Sequence, residues 1–457
     1  MRANALIASG ISLLVASALV ACGGDKGSAE HLSSTTIPQP TQAQLDASGL
    51  ARFPFAPESK RIDLVAPSFS NPTEITNPLN PISEVTSAVV LGEVDGEALR
   101  IEITLLPETR IVEWNGQPVE CVVSQFVGYL EGRMKEVALD LYAQGDDGDV
   151  WYFGEDVFNY GDDGHIADME GAWLAGRDGP AGIITPDDPE VGDAYRSENI
   201  PGLVFEESTV KSIDVTVDGP RGRIDGAFEI DEHHQEGPEI KQWAPGYGEF
   251  YTRDGSDYEL MALAVPLDAL PGTPPAELTR ISGGAAEIFG AGGVIDWTEA
   301  SSAVEEMAAD WASFQSGEVP DLLAGHMNDA LDALERAVRV RKPVDSRLAA
   351  TDVAVASLDF QLRHRPPAEI DLARLDLQAA MLGIDAAAED LPAVRSDVAN
   401  LDWIRDRIAH TLDDADRSRI DTEIVDAIGA AGDEDLAAVR EIAAQMRGLL
   451  AGLTPAS

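Results

Sequence analysis

Cations are scarce in this chain of 457 residues: 32 Lys and Arg stand against 81 Asp and Glu, a net charge of −49. No stripe of basic residues is present to follow a phosphate backbone, so nucleic acid is excluded as a partner and anionic lipid headgroups are a poor one. Cysteine is nearly missing as well. Cys22 and Cys121 are the only two, too few for a disulfide framework. After the leader there is no Gly-x-Ser-x-Gly elbow, no phosphate-cradling loop and no dinucleotide fingerprint, so the common catalytic signatures are absent. What is present is a hydrophobic content of 44%, which excludes a disordered chain. The acids are spread along both halves and read as a highly solvated surface.

The chain opens Met1-Arg2 and runs apolar from Ala5 to Val20, the layout of a secretory signal peptide. A membrane span needs roughly 20 apolar residues, and here polar Gly23-Gly24-Asp25-Lys26 follows at once. Leu19-Val20-Ala21-Cys22 resembles the lipobox of bacterial lipoproteins. The resemblance implies a signal peptide over residues 1–21 and diacylglycerol on Cys22. The protein would then be anchored in the cell membrane or outer membrane, facing the periplasm or exterior. Each buried CH₂ contributes roughly 0.8 kcal/mol, so two acyl chains hold far more firmly than one. Cys121 is then left alone in the apolar stretch Val119 to Leu130, where it reads as a small buried hydrophobe.

The composition divides the chain into five parts. Residues 22–60, rich in Gly, Ser, Thr, Gln and Pro, read as a flexible tether. Residues 61–270 read as antiparallel β. Leu99 to Leu105 alternates, and Asn115-Gly116 is a strong hairpin signal, followed by Glu131-Gly132, Asp147-Gly148, Asp218-Gly219 and Asp254-Gly255. Within this part Asn71-Pro72, Asn77-Pro78 and Asn80-Pro81 favour irregular chain that packs along the domain. Residues 271–294, rich in Pro, Gly and Ala, read as a linker. Residues 295–457 read as six or seven helices. Leu323, Met327, Leu331, Leu334 and Val338 recur at helical spacing, as do Val394, Val398, Leu401, Ile404, Ile408 and Leu412, with breaks at Pro343, Pro366-Pro367, Pro392 and Gly432. The expected fold class is α+β multidomain, an antiparallel β-sandwich or half-barrel followed by an α-helical bundle of up-and-down type.

The stretch Asp140-Leu-Tyr-Ala-Gln-Gly-Asp-Asp-Gly-Asp-Val-Trp-Tyr-Phe-Gly-Glu-Asp156 resembles a pattern of uncharacterised exported bacterial lipoproteins. Gly171-Ala-Trp-Leu-Ala-Gly176, Val191-Gly-Asp-Ala-Tyr195 and Ala244-Pro-Gly-Tyr-Gly248 fit the same pattern. The segments Arg365 to Arg374 and Trp403 to His410 are similar to the C-terminal modules of such proteins. The resemblance implies export and a two-module layout; it carries no catalytic residue.

Several constellations are candidates for chemistry. Tyr142, Trp151, Tyr152, Tyr160 and Trp173 cluster in a short span and would line a ligand cleft if alternate members share a face, or else form the core. Asp402, Asp406 and His410, spaced by four, share one flank of a helix; with His326 or His364 across a bundle they would suit a divalent metal such as zinc, iron, copper or manganese. Against that, Arg405 and Arg407 can pair the acids. Asp146-Asp-Gly-Asp149 and Gly161-Asp-Asp-Gly164 lack the ligand spacing of a calcium loop and read as tight turns. His233 and His234, if on a strand, point to opposite faces and cannot share one ion. The expected function is a membrane-anchored, non-enzymatic binding protein for a small molecule or a protein partner. A metal-binding lipoprotein using the bundle is the alternative, and a hydrolase in the β domain a remote one.

Overall fold

The computed structural model describes residues 36–234, 237–290 and 294–455; Cys22 and its flanking segment lie outside the described residues. One antiparallel sheet of 14 strands dominates. Its members are β1 (Ser87–Val94), β2 (Glu97–Trp114), β3 (Gln117–Leu130), β4 (Arg133–Gln144), β5 (Val150–Tyr160), β6 (Ile166–Asp168) and β7 (Trp173–Leu174). They continue as β8 (Gly182–Thr185), β9 (Ala194–Ile200), β10 (Val204–Gly219), β11 (Gly222–His234), β12 (Pro238–Ala244), β13 (Gly248–Asp254) and β14 (Asp257–Val265). The order β6-β5-β4-β3-β2-β1-β14-β13-β12-β11-β10-β9 is two meanders joined where the first strand pairs with the last. The local chemistry explains the hairpins: Asn115 and Gly116 both take positive φ, 52° and 73°, the twist a two-residue turn between strands requires. Asp95-Gly96 does the same between β1 and β2, a turn the sequence reading passed over.

Of the two expected β architectures, the half-barrel is the one formed. The two ends of the sheet approach each other without a ladder between them. A Cβ on Gly182 of β8 would lie 2.2 Å from the Arg196 carbonyl oxygen and 2.3 Å from that of Ser197 on β9, so only glycine permits this approach. Across the same gap the Trp173 indole Nε1 donates to Glu198 Oε1 at 2.8 Å. Gly182→Ala is therefore expected to destabilise the chain by about 1–3 kcal/mol through backbone displacement, read as a lower urea midpoint.

Chain preceding β1 closes the half-barrel. A short helix, α1 (Gln42–Ala47), carries a Thr41–Gln44 capping box, and Ile37 and Leu50 are buried. The expected tether over 22–60 is thus docked from Ile37 onward, because those apolar side chains find core to enter. Ile62 N–H donates to Ala194 O at 2.9 Å and Asp63 accepts from Arg196 N at 2.9 Å, covering β9. The Asn-Pro segment caps one end. Asn77 Nδ2 donates to Gly148 O and Pro186 O, Asn80 Nδ2 donates to Thr185 Oγ1, and Gly246 N–H donates to Pro78 O.

Among the described residues eight helices follow β14, α2 (Ala276–Phe289) in the expected linker and seven in the expected helical part, α3 (Trp297–Phe314), α4 (Asp321–Val340), α5 (Pro343–Gln361), α6 (Pro367–Ala387), α7 (Leu391–Ile408), α8 (Asp414–Gly432) and α9 (Leu436–Leu450). In α2, Leu278, Ile281 and Ala285 form a buried stripe. Prolines fall in the first turn of α5, α6 and α7, where their missing N–H costs nothing. Asp296, Asp390, Asp413 and Asp435 cap α3, α7, α8 and α9. Helices α2 to α5 share a core with Val89, Leu91, Leu263 and Val265 on the convex face of the sheet. One side of α6 joins that core through Leu377, Ala380 and Ile384; its other side packs with α7, α8 and α9.

The seam between sheet and helices is ionic as well as apolar. Glu102 of β2 accepts from Arg100 (2.8 Å) and Arg407 of α7 (2.5 Å), and lies 3.4 Å from Arg374 of α6. Asp359 of α5 accepts from Arg100 and Arg374, and Asp371 accepts from Arg374. Gln125 Oε1 takes the Arg407 Nε–H at 2.6 Å. Three guanidinium groups thus meet three carboxylates. Burial alone would raise the Glu102 pKa, yet Arg374, Arg407 and Arg100 hold its carboxyl well below the usual range.

Candidate functional site

Strand alternation sends every second residue of β1 to β4 away from the helices and into the hollow of the half-barrel. On β2, Arg100 and Glu102 face the helices while Ile101 and Ile103 face inward; on β4, Val137 and Leu141 are buried outward while Glu136, Ala138, Asp140 and Tyr142 face inward. The hollow holds a cavity of about 230 Å³. One water needs about 10–15 Å³ on this scale, so the space fits a small organic molecule.

The floor of the cavity is apolar, with Val90, Ile101, Ile103, Phe126 and Met261 from the central strands. The flanks are acidic. On one side Asp140 of β4 and Glu155 of β5 are paired directly across the ladder; on the other Glu198 of β9 and Glu206 of β10 are paired in the same way. Like charges directly opposite destabilise a sheet, and here the arrangement occurs twice. The spacing on β5 depends on Gly154, whose φ of 120° accommodates one extra residue opposite Leu141, so that Tyr152 and Glu155 both point inward. Glu136, Glu249 and Glu259 add further carboxyls.

The partners of these acids are few. Tyr152 Oη donates to Asp140 at 3.0 Å, Ser197 Oγ donates to Glu206 Oε2 at 2.6 Å, and Trp173 donates to Glu198 Oε1. Glu198 Oε2 and Glu206 Oε1 have no hydrogen-bond partner among the described residues, although these residues are only 1% and 3% exposed. Lys241 is the one cation among the described lining residues, and it is already held by Glu232 at 2.8 Å and Glu239 at 3.0 Å. Burial, reinforced by Glu206 and Glu155, pushes the Glu198 carboxyl well above its ordinary range. Burial and then Glu249 raise Glu259 to about 8, and burial raises Asp140 and Glu206 as well.

The motif from Asp140 to Asp156 builds much of this site. Besides Asp140, Tyr142, Tyr152 and Glu155 in the wall, Gln144 Oε1 accepts the N–H groups of Thr76 and Asn77. Asp146 accepts from Ser70 N and Oγ, and Asp149 accepts from Asp187 N. The Asp-Gly cluster therefore straps loops together. Of the five aromatic residues expected to line a cleft, Tyr142 and Tyr152 do so, stacked at 5.0 Å. Trp151 points to the opposite face beside Trp114 and Phe69. Trp173 lies edge-on behind Tyr152, and Tyr160 accepts a hydrogen bond from Trp403 Nε1 at the helical seam.

The expected metal triad is not assembled. Arg405 donates to both Asp402 and Asp406, and α7 ends at Ile408, so exposed His410 falls in the following 3₁₀ turn. Among the described residues no group of three or more His, Cys, Asp or Glu side chains is placed to hold a metal ion. His234 is buried while His233 packs on Phe53 at 5.4 Å. Cys121 is fully buried, and burial pushes its thiol up, which makes it inert. The carboxylate pairs are not legible in the sequence; their one signal is acids on the same face of an otherwise apolar strand, as in Glu136-Val-Ala-Leu-Asp140. The fold and site define a half-barrel with a ligand-sized acidic hollow, backed by helices. Compared with known proteins, the chain matches no family model and no curated protein.

Proposed function

We propose that this chain is an exported lipoprotein, anchored through diacylglycerol on Cys22, whose half-barrel binds a small molecule without transforming it. The observation that carries the binding reading is the pair of buried carboxylate oxygens, on Glu198 and Glu206, that belong to cavity-lining residues and lack a hydrogen-bond partner among the described residues. An unsatisfied buried polar group costs about 1–3 kcal/mol, a cost that a ligand donor removes. The anchoring reading rests on the lipobox-like Leu19-Val20-Ala21-Cys22. No helix among the described residues is long and apolar enough to cross a membrane.

Two measurements test the two halves. Cys22→Ser is expected to release the protein from membranes and shift its mobility on a gel; unchanged membrane association overturns the anchor. Native mass spectrometry of the full chain, gently purified, is expected to show a retained small-molecule mass lost on denaturation. Turnover of ester, glycoside or peptide substrates by the same preparation would count against a binding role.

A further inference from the structure

We propose that the ligand of the half-barrel is an organic cation, a protonated amine on an apolar body, with its ammonium group shared by Glu198 and Glu206 and its body on the Val90–Ile101–Met261 floor. The inference rests on the binding reading above and deepens it.

Register carries the argument. Glu198 and Glu206 are Cα partners across β9 and β10, so their carboxyls leave the same face about 5 Å apart at Cβ. One oxygen of each is taken, by Trp173 and by Ser197. The other oxygen of each is open and buried. An ammonium group offers three donors and one positive charge, and so satisfies both free oxygens while cancelling their mutual repulsion. Glu155 faces the pair from the opposite flank and adds to the same field. Among the described lining residues the one cation, Lys241, forms its ion pairs with Glu232 and Glu239 and only partly offsets the charge of Glu206.

The alternatives fit less well. A carboxylate or phosphate ligand would meet a wall in which acids far outnumber the one lysine, Lys241. A bare metal ion needs several oxygens converging on one point, and the described carboxyls are not so grouped. A neutral alcohol would leave the acids unneutralised, and it gains nothing from two facing carboxylates over one. The apolar floor selects an amine with hydrocarbon attached rather than ammonium itself.

The raised affinity of these carboxyls for protons supports the same reading, because in the empty protein protons stand where the cation would. Amine binding at neutral pH should therefore expel protons. The test is isothermal titration calorimetry of the full chain in detergent with hexylamine, 2-phenylethylamine and putrescine, against hexanol, 2-phenylethanol, hexanoate and calcium chloride. The expected result is saturable binding of at least one amine, ten-fold or more tighter than its matched alcohol. The binding enthalpy should vary with the ionisation enthalpy of the buffer, and affinity should fall ten-fold or more between pH 8 and pH 5. Glu206→Gln and Glu198→Gln each keep the hydrogen bond to Ser197 or Trp173 and should lose ten-fold or more in amine affinity, with circular dichroism reporting that the fold persists.

If alcohols or hexanoate bind as tightly as the amines, the cation is overturned while the cavity remains a binding site. If calcium alone binds, the organic class is overturned. If no probe binds and native mass spectrometry shows no retained mass, both the cation and the binding reading fall. Unchanged amine affinity in both Gln variants would move the ammonium away from the Glu198–Glu206 pair and defeat the proposal.

Discussion

Raising the pH from about 5.5 to about 8.5 is expected to lower the melting temperature of the ligand-free chain, opposite in sense to the usual acid denaturation. Folded Glu259 holds its proton to about pH 8, and Glu198 and Glu206 are raised in the same direction, while unfolded carboxyls release theirs near 4.5. Between those values the folded state binds protons that the unfolded state has lost, so stability falls as pH rises. Each such group contributes about 1.4 kcal/mol per pH unit. The groups around them set the balance: Glu249, Glu232 and Glu155 oppose ionisation, whereas Lys241 favours it. Glu259 by itself accounts for a loss of about 3 kcal/mol across the window, which lowers the melting temperature by about 3 °C for a protein of this size, and Glu198 and Glu206 add to it in the same direction. On the acid side the Glu102 carboxyl works the other way, since its depressed pKa makes its ion pairs a source of stability that is lost below about pH 4.5. Differential scanning calorimetry across pH checks the curve. The double variant Glu198→Gln, Glu206→Gln should flatten the alkaline limb; an unchanged slope would assign it to Glu259 rather than to the Glu198–Glu206 pair.

Arg407→Met is expected to be the most damaging single substitution in the helical region. Its side chain is fully buried, and it donates to Glu102 and Gln125 and lies 3.6 Å from Asp371. Removing one member of a buried ionic network leaves charge uncompensated, at a cost of about 3–5 kcal/mol. Because Arg407 sits on α7 and Glu102 on β2, the loss falls on the seam that joins helices to sheet. Urea unfolding followed by tryptophan fluorescence should show a lower midpoint, with Trp403 reporting the seam. The pair Glu102→Gln with Arg407→Met should be less damaging than the sum of the single changes, since the stranded carboxylate is gone. A single-variant loss below about 1 kcal/mol would refute the network's role.

Much of the fold is legible in the chain, and particular residues say why. Asn115-Gly116 and Glu131-Gly132 dictate hairpins by backbone conformation, which is local chemistry. Leu323, Met327, Leu331, Leu334 and Val338 dictate a helix with one buried stripe, and all five are buried. Pro343, Pro367 and Pro392 sit in first turns because ring geometry allows them there. The helix in the expected linker was obscured by Gly283 and Gly284, which dilute the apolar stripe around Ile281 and Ala285. Periodicity does not mark where a helix ends, so His410, expected on the flank of a helix, lies beyond Ile408 in a 3₁₀ turn.

The candidate site was half visible. Of the aromatic cluster Tyr142, Trp151, Tyr152, Tyr160 and Trp173, expected to line a cleft or else form the core, Tyr142 and Tyr152 line the cavity. Glu136, Asp140, Glu155, Glu198 and Glu206 were hidden in plain view among 81 acids, where each reads as one more solvated charge. By itself the sequence determined the period-two alternation, the turns and the two-part order of sheet then helices, because each depends on neighbours a few residues apart. Only the tertiary structure decided that Asp140, Glu155, Glu198 and Glu206 on the flanking strands turn inward around an apolar floor. That follows from helices covering the convex side and from Gly182 letting β8 and β9 meet, contacts between parts of the chain that no local pattern relates.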